Sequence, residues 1–147
     1  MDDAKSLNIL RGMYVGALAD ACLRYLKAGI LNDVADAKHQ EQLKAGPMTA
    51  AFLGISTIPD AFLALQDIFA CANWKVEKNA GNFLAIASSC QLCAKAKQIG
   101  AGNPCGIYCL SPIQGLIMAI EPSAKFKVDS TLWKGEKCQV RVELANN

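Results

Sequence analysis

Apolar positions along this chain recur first at the helical spacing, then at every second residue. The two periods alternate once more before the end. From Asp3 to Ala28, Leu7, Leu10, Tyr14, Leu18, Cys22 and Tyr25 lie three or four apart, which predicts one helix with one apolar stripe. Lys5, Asn8, Arg11 and Arg24 fall mostly off that stripe, and Gly29 supplies a stop. A second helix is expected from Asp33 to about Lys44, with Asn32 as its cap and Gly46-Pro47 as its terminator. Its few apolar residues, Val34, Ala35 and Leu43, predict an exposed and mobile segment. Met48 to Ile55 reads as a separate short apolar helix. Thr57-Ile58-Pro59-Asp60 combines a capping hydroxyl, a proline in the first turn and an acid near the N-terminus. It starts a helix to about Cys71 that buries Phe62, Leu65, Ile68 and Phe69.

At Trp74 the period becomes two. Trp74 and Val76 alternate with Lys75 and Glu77, Asn79-Ala80-Gly81-Asn82 is a turn signal, and Phe83 to Ala87 is a more apolar, more central strand. Ser89 can cap a helix from Cys90 to about Ile99, ended by Gly100-Ala101-Gly102-Asn103-Pro104. Ser111-Pro112 opens another, which Glu121-Pro122 stops after Ile120. In the last hairpin Phe126, Val128 and Ser130 alternate with charged residues, and Lys134-Gly135-Glu136 turns the chain. Cys138, Val140, Val142 and Leu144 then share one face. The order implies a single α+β domain over 1–147, helical over 1–72 and sheet-plus-helices over 73–147. Its sheet is four-stranded and mainly antiparallel, built of two hairpins and covered by helices.

Composition narrows the function classes. A 52% hydrophobic, 19% charged chain of 147 residues with net charge +2 can bury a core without staples. It has no basic run with interleaved aromatics, so nucleic acid is not an expected partner. The apolar run Asn103 to Ile120 is interrupted by Pro, Gly and Gln, so no membrane span is expected. The opening MDDAKSLNIL is acidic where a signal peptide is basic, and seven cysteines are an odd number. Both lead to the expectation of reduced thiols in a cytoplasmic protein rather than a disulfide framework. Gly12 and Gly16, four apart on the first helix, read as a close-packing seam, either within the chain or in a homodimer. His39, the sole histidine, reads as a solvated surface residue with nothing nearby to orient it.

The cysteines carry the candidate chemistry. Cys90, Cys93, Cys105 and Cys109 follow the spacing C-x2-C-x11-C-x3-C, and Cys138 faces the core from the last strand. Three readings stand beside the plain one of cysteine as a small buried hydrophobe. Thiolates of Cys90, Cys93, Cys105, Cys109 and Cys138 could ligate a metal, zinc before an iron–sulfur cluster. Cys90 and Cys93, after a strand and at the start of a helix, could exchange disulfides, since a helix N-terminus lowers a thiol pKa. Cys90 or Cys109 could be a catalytic nucleophile, although a base would have to come from elsewhere in the chain.

The segments FLAIASSCQLCAKAKQIGAGNPCGIYC and KFKVDSTLWKGEKCQVRVEL resemble the L-2-amino-thiazoline-4-carboxylate hydrolase-like family. More broadly, they resemble the 4-vinyl reductase-type ligand-binding domains shared with Golgi-transport subunits and aromatic-sensing bacterial regulators. Cys90, Gly100, Cys109, Thr131, Gly135 and Cys138 match the pattern, over roughly Trp74 to Leu144. The resemblance implies a pocket between sheet and helices that holds a small-molecule ligand such as a cyclic amide or thiazoline. Cys90, Cys109, Cys138 and Thr131 would line it. The chain departs from the hydrolase pattern at Leu110-Ser111-Pro112, where an aspartate is usual, and on the strand of Lys127, Asp129 and Ser130, where an arginine is usual. The zinc pattern of the sensor domains would fall on Lys127, Ser130 and Cys138, so two of its three ligands are replaced.

Overall fold

The computed structural model describes residues 1–145. The elements run α1 (Asp3–Lys27), α2 (Leu31–Leu53), α3 (Ile58–Phe69), β1 (Lys75–Asn79), β2 (Asn82–Ala87), α4 (Gln91–Gln98), α5 (Cys105–Tyr108), α6 (Leu110–Ile120), β3 (Lys125–Ser130) and β4 (Cys138–Glu143). This is an α+β fold. The sheet has the order β1-β2-β4-β3 and every neighbouring pair is antiparallel. The first hairpin turns at Ala80 (φ 50°) and Gly81 (φ 84°), the positive-φ pair of a type I′ turn whose twist matches its strands. At the centre, Ala85 lies opposite Val140 and Ala87 opposite Cys138.

Strand alternation decides which face is buried. Ala85, Ala87, Cys138, Val140 and Val142 face the helices and are buried, as the period-two pattern requires. They pack with Phe62 of α3, with Ile113, Leu116 and Ile117 of α6, and with Trp74, whose ring meets Phe62 edge-on at 5.1 Å. A second apolar cluster joins Val15, Ala19 and Cys22 of α1 to Leu92 and Ala96 of α4 and Ile107 of α5. On the solvent face, Arg141 forks onto both carboxylate oxygens of Asp129 (2.7 and 2.8 Å) across the β3–β4 pair.

Several expectations change. Helix α2 does not stop at Gly46-Pro47. It is continuous from Leu31 to Leu53 and absorbs the Met48 segment. Proline removes one backbone hydrogen bond, but Pro47 faces outward while Gly46 is buried against α6, and that packing carries the helix through. Rather than standing free, α2 lies along α6, and α2 and α6 meet more extensively than any other two elements. The buried face of α1 is Val15, Ala19 and Cys22, and of the expected stripe only Cys22 belongs to it: Leu18 and Tyr25 are half-buried, and Leu7, Leu10 and Tyr14 are exposed. Gly12 and Gly16 make no close intrachain contact, since a Cβ on either would meet nothing within 4 Å. His39 is half-buried, with Nδ1 3.3 Å from the buried Ser111 Oγ. The single turn α5 has no counterpart in the sequence pattern. Among the described residues, no single helix is long and apolar enough to cross a membrane.

Candidate functional site

A cavity of about 300 Å³ opens where α1, α2, α3 and the α4–α6 segment converge. Three thiols line it, those of Cys71, Cys90 and Cys109, together with aromatic rings of Tyr14, Phe69, Trp74 and Tyr108. Gln42, Gln66 and Lys38 are its polar members.

Local backbone chemistry places each thiol. Helix α3 ends at Ala70, which takes the left-handed conformation (φ 54°) and swings Cys71 out of the helix. The Cys71 carbonyl then accepts from the Gln91 N–H (2.8 Å), and Ala72 bridges to Cys90, so the end of α3 is stitched to the start of α4. Asn73 tightens the same junction. Its Oδ1 accepts from the N–H groups of Ser88 and Ser89 (2.9 Å each), and its Nδ2 donates to Ser88 Oγ (2.8 Å). Cys90 itself, not Ser89, is the N-cap of α4, with Sγ accepting from the Cys93 N–H at 3.4 Å. Cys109 sits in the break between α5 and α6. On the α1 side, Tyr14 stacks on Phe69 at 4.8 Å, and Arg11 donates to the carbonyls of Asp67 and Ile68 (2.5 and 3.0 Å).

The electrostatics oppose a thiolate site. Cys90 is pushed far above the usual thiol range, first by its hydrogen bond to the Cys93 thiol and then by burial. The helix N–H groups of Cys93 and Leu92 pull it down and do not prevail. Burial raises Cys109 well above its ordinary value and Cys71 to about 11. Tyr108 is raised by burial and by its hydrogen bond to Tyr25, and Tyr14 by burial and the proximity of Cys71. All of these groups are therefore neutral at pH 7. Lys38 contributes the cation at the edge, where it meets Glu41 at 3.2 Å.

The sequence-predicted residues divide. Cys90 and Cys109 reach the cavity. Cys93 and Cys105 do not line it. They pair with each other instead, Sγ to Sγ 3.4 Å. Cys138 is held under the sheet by the Leu132 N–H (3.2 Å to Sγ). Thr131 builds the β3–β4 turn, where its carbonyl accepts from the N–H groups of Lys134 and Gly135 (3.2 and 2.8 Å). Among the described residues, no three His, Cys, Asp or Glu side chains are grouped so as to hold a metal ion. The five proposed sulfur ligands thus form no such group, and the sulfurs of Cys93 and Cys105 are in contact. Cys71, Gln66, Tyr14 and Tyr108 line the cavity without being among the sequence-predicted site residues. For Gln66 a signal existed, because it is a polar residue between Phe62 and Phe69 on an otherwise apolar helical face. For Cys71 there was none, because its position depends on the turn at Ala70.

No family model, curated protein or solved structure matches this chain.

Proposed function

We propose that this protein is a small-molecule-binding domain and that its ligand occupies the thiol-lined cavity. The observation that carries this reading is Gln66. The residue lines the cavity, and its Oε1 is buried with no hydrogen-bond partner. An orphaned buried acceptor costs about 1–3 kcal/mol. A ligand N–H or O–H would recover that cost. The rest of the lining is aromatic, aliphatic and neutral thiol, which suits a compact, mainly apolar molecule carrying one donor, and the volume is at the lower end for small-molecule sites. A cyclic amide has that character. Hydrolysis of such a ring by Cys90 or Cys109 is the finer version, which the family resemblance suggests. The neutral thiols favour binding over turnover.

The test is a thermal-shift and Trp-fluorescence titration of the reduced chain with small cyclic amides, thiazoline carboxylates and indole, since Trp74 lines the cavity. A saturable rise in melting temperature that Gln66→Leu removes supports the reading. A panel that leaves both signals flat sinks it. Product analysis of the same mixtures decides turnover.

A second reading concerns the uncovered face of α1. Leu10 is 63% and Met13 68% exposed, and Gly12 and Gly16 are open on the same helix. Its first turn carries Asp3 and its last turn Arg24 and Lys27. Antiparallel apposition to α1 of a second copy would bury the apolar residues and set each acidic end against a basic one. Light scattering over a concentration series tests this. A dimer abolished by Leu10→Lys is expected, and a monomer at all concentrations removes the idea.

A further inference from the structure

Two buried thiols lie in contact outside the cavity, and neither belongs to the pocket reading. Cys93 comes from the first turn of α4 and Cys105 from the first residue of α5. They are 4% and 6% exposed, and their sulfurs are 3.4 Å apart. The C-x2-C spacing would pair Cys93 with Cys90. In the fold the Cys93 sulfur has two partners: it meets the Cys105 sulfur at 3.4 Å and also bonds to the Cys90 thiol, whose own sulfur is held as the helix cap by the Cys93 N–H. A disulfide has sulfurs about 2.05 Å apart, so closing this contact needs a movement of about 1.4 Å, within the reach of side-chain rotation.

We propose that Cys93 and Cys105 form a dithiol–disulfide couple, oxidised by low-molecular-weight disulfides. The approach is a shallow hollow at the start of α4, lined by Cys90, Cys93, Lys97, Leu132 and Gly135. Lys97, held by the Leu132 carbonyl at 2.7 Å, puts a cation where an anionic disulfide such as that of glutathione would enter. The deprotonated Cys93 sulfur attacks one sulfur of the small disulfide, whose S–S bond breaks to release one thiolate. Cys105 then loses its proton and attacks the Cys93 sulfur, and the new S–S bond expels the second thiolate. Two protein thiols are oxidised by two electrons, one small disulfide is reduced to two thiols, and both protons end on those thiols.

The bond would tie α4 to α5 across the Gly100–Pro104 connection. Leu92, beside Cys93, and Ile107 and Tyr108, following Cys105, line the cavity, so the couple sits in the wall of the pocket without entering it. The proposal holds whether or not the cavity binds a ligand.

The full reduced chain is equilibrated, free of air, in glutathione buffers of increasing disulfide-to-thiol ratio. It is then acid-quenched, alkylated and cut with chymotrypsin. Cleavage after Leu92 and Tyr108 separates Cys93 from Cys90 and Cys105 from Cys109, so wild-type protein suffices. The expected product is the single peptide from Cys93 to Tyr108, unalkylated at both cysteines and two hydrogens lighter than its dithiol, rising along a two-electron curve, with Cys90 and Cys109 alkylated on their own peptides. A Cys90–Cys93 link overturns the proposal, as does glutathione left on Cys93, or all four thiols alkylated at ratios that oxidise a control dithiol peptide. In Cys105→Ser, glutathione trapped on Cys93 is expected, and an internal disulfide at Cys93 in that variant counts against the couple.

Discussion

Gly46 of α2 and Gly115 of α6 touch through their backbones. A Cβ on Gly46 would lie 2.7 Å from the Gly115 carbonyl carbon, and one on Gly115 would lie 2.9 Å from the Gln42 carbonyl carbon. The obstruction is backbone on both sides, so it cannot be relieved by a rotamer change. Helix α6 carries Pro112 and Ile113 in the cavity wall, so this contact also sets how α2 presents Lys38 and Gln42 to the cavity.

Gly115→Ala and Gly46→Ala are therefore expected to destabilise by about 2–3 kcal/mol or more, because overpacking here must separate two helices. Gly12→Ala, on the open face of α1, is expected to stabilise by about 0.5–1 kcal/mol through helix propensity alone. Urea melts of the three variants against wild type check the contrast.

Gln66→Leu removes an acceptor that has no partner. The ligand-free protein is expected to gain about 1 kcal/mol while any cavity ligand loses affinity, a divergence that simple damage to the fold would not produce. Melting curves with and without ligand read both effects.

Buried thiols make the fold sensitive to alkali. Burial raises Cys22 and Cys71 to about 11, and the hydrogen bond to Cys105 raises Cys93 to about 12. In the unfolded chain a thiol ionises near about 8.5. A pKa raised by folding means that the protonated form is favoured in the native state. Its contribution is whole below the unfolded value and is lost as pH climbs through the folded one. The melting temperature is expected to be flat in this respect up to about pH 8.5 and to fall above it. Cys71→Ala should flatten part of that fall.

Asp129 behaves in the opposite sense at the other end of the scale. The Arg141 guanidinium, with help from Gln139, holds its carboxyl down to about 2. A depressed carboxyl pKa contributes above its unfolded value of about 3.9 and loses that contribution as pH falls toward the folded value. An NMR titration of the side chain should find the low midpoint, and Arg141→Gln should return it toward the ordinary carboxylate range.

How much of this was legible follows the range of the forces involved. Thr57 was read as a cap from its own tetrapeptide, and its Oγ1 does accept the Asp60 N–H at 3.3 Å. The last hairpin was read from strict alternation, and Cys138, Val140 and Val142 are buried together. Local sequence offers Ser89 as the cap of α4, but Asn73 Oδ1 holds the Ser88 and Ser89 N–H groups in the junction, the helix starts at Gln91, and Cys90 caps it. That outcome depends on a residue sixteen positions away. His39 failed in the same way, because its partner Ser111 is seventy-two residues downstream.

The sequence by itself determined the main element types, the four-stranded antiparallel sheet and the buried face of the last strand. Those follow from periodicity and turn chemistry within about ten residues. Only the tertiary structure decided that α2 runs through Pro47, that Cys71 joins Cys90 and Cys109 around a cavity, and that Cys93 meets Cys105 as well as Cys90. In each case the deciding contact lies between elements, across a glycine-tight helix crossing, a left-handed turn at Ala70 or the connection from Gly100 to Pro104. No local pattern encodes the path of the chain through those junctions, because several geometries share the same local residues and long-range packing selects one.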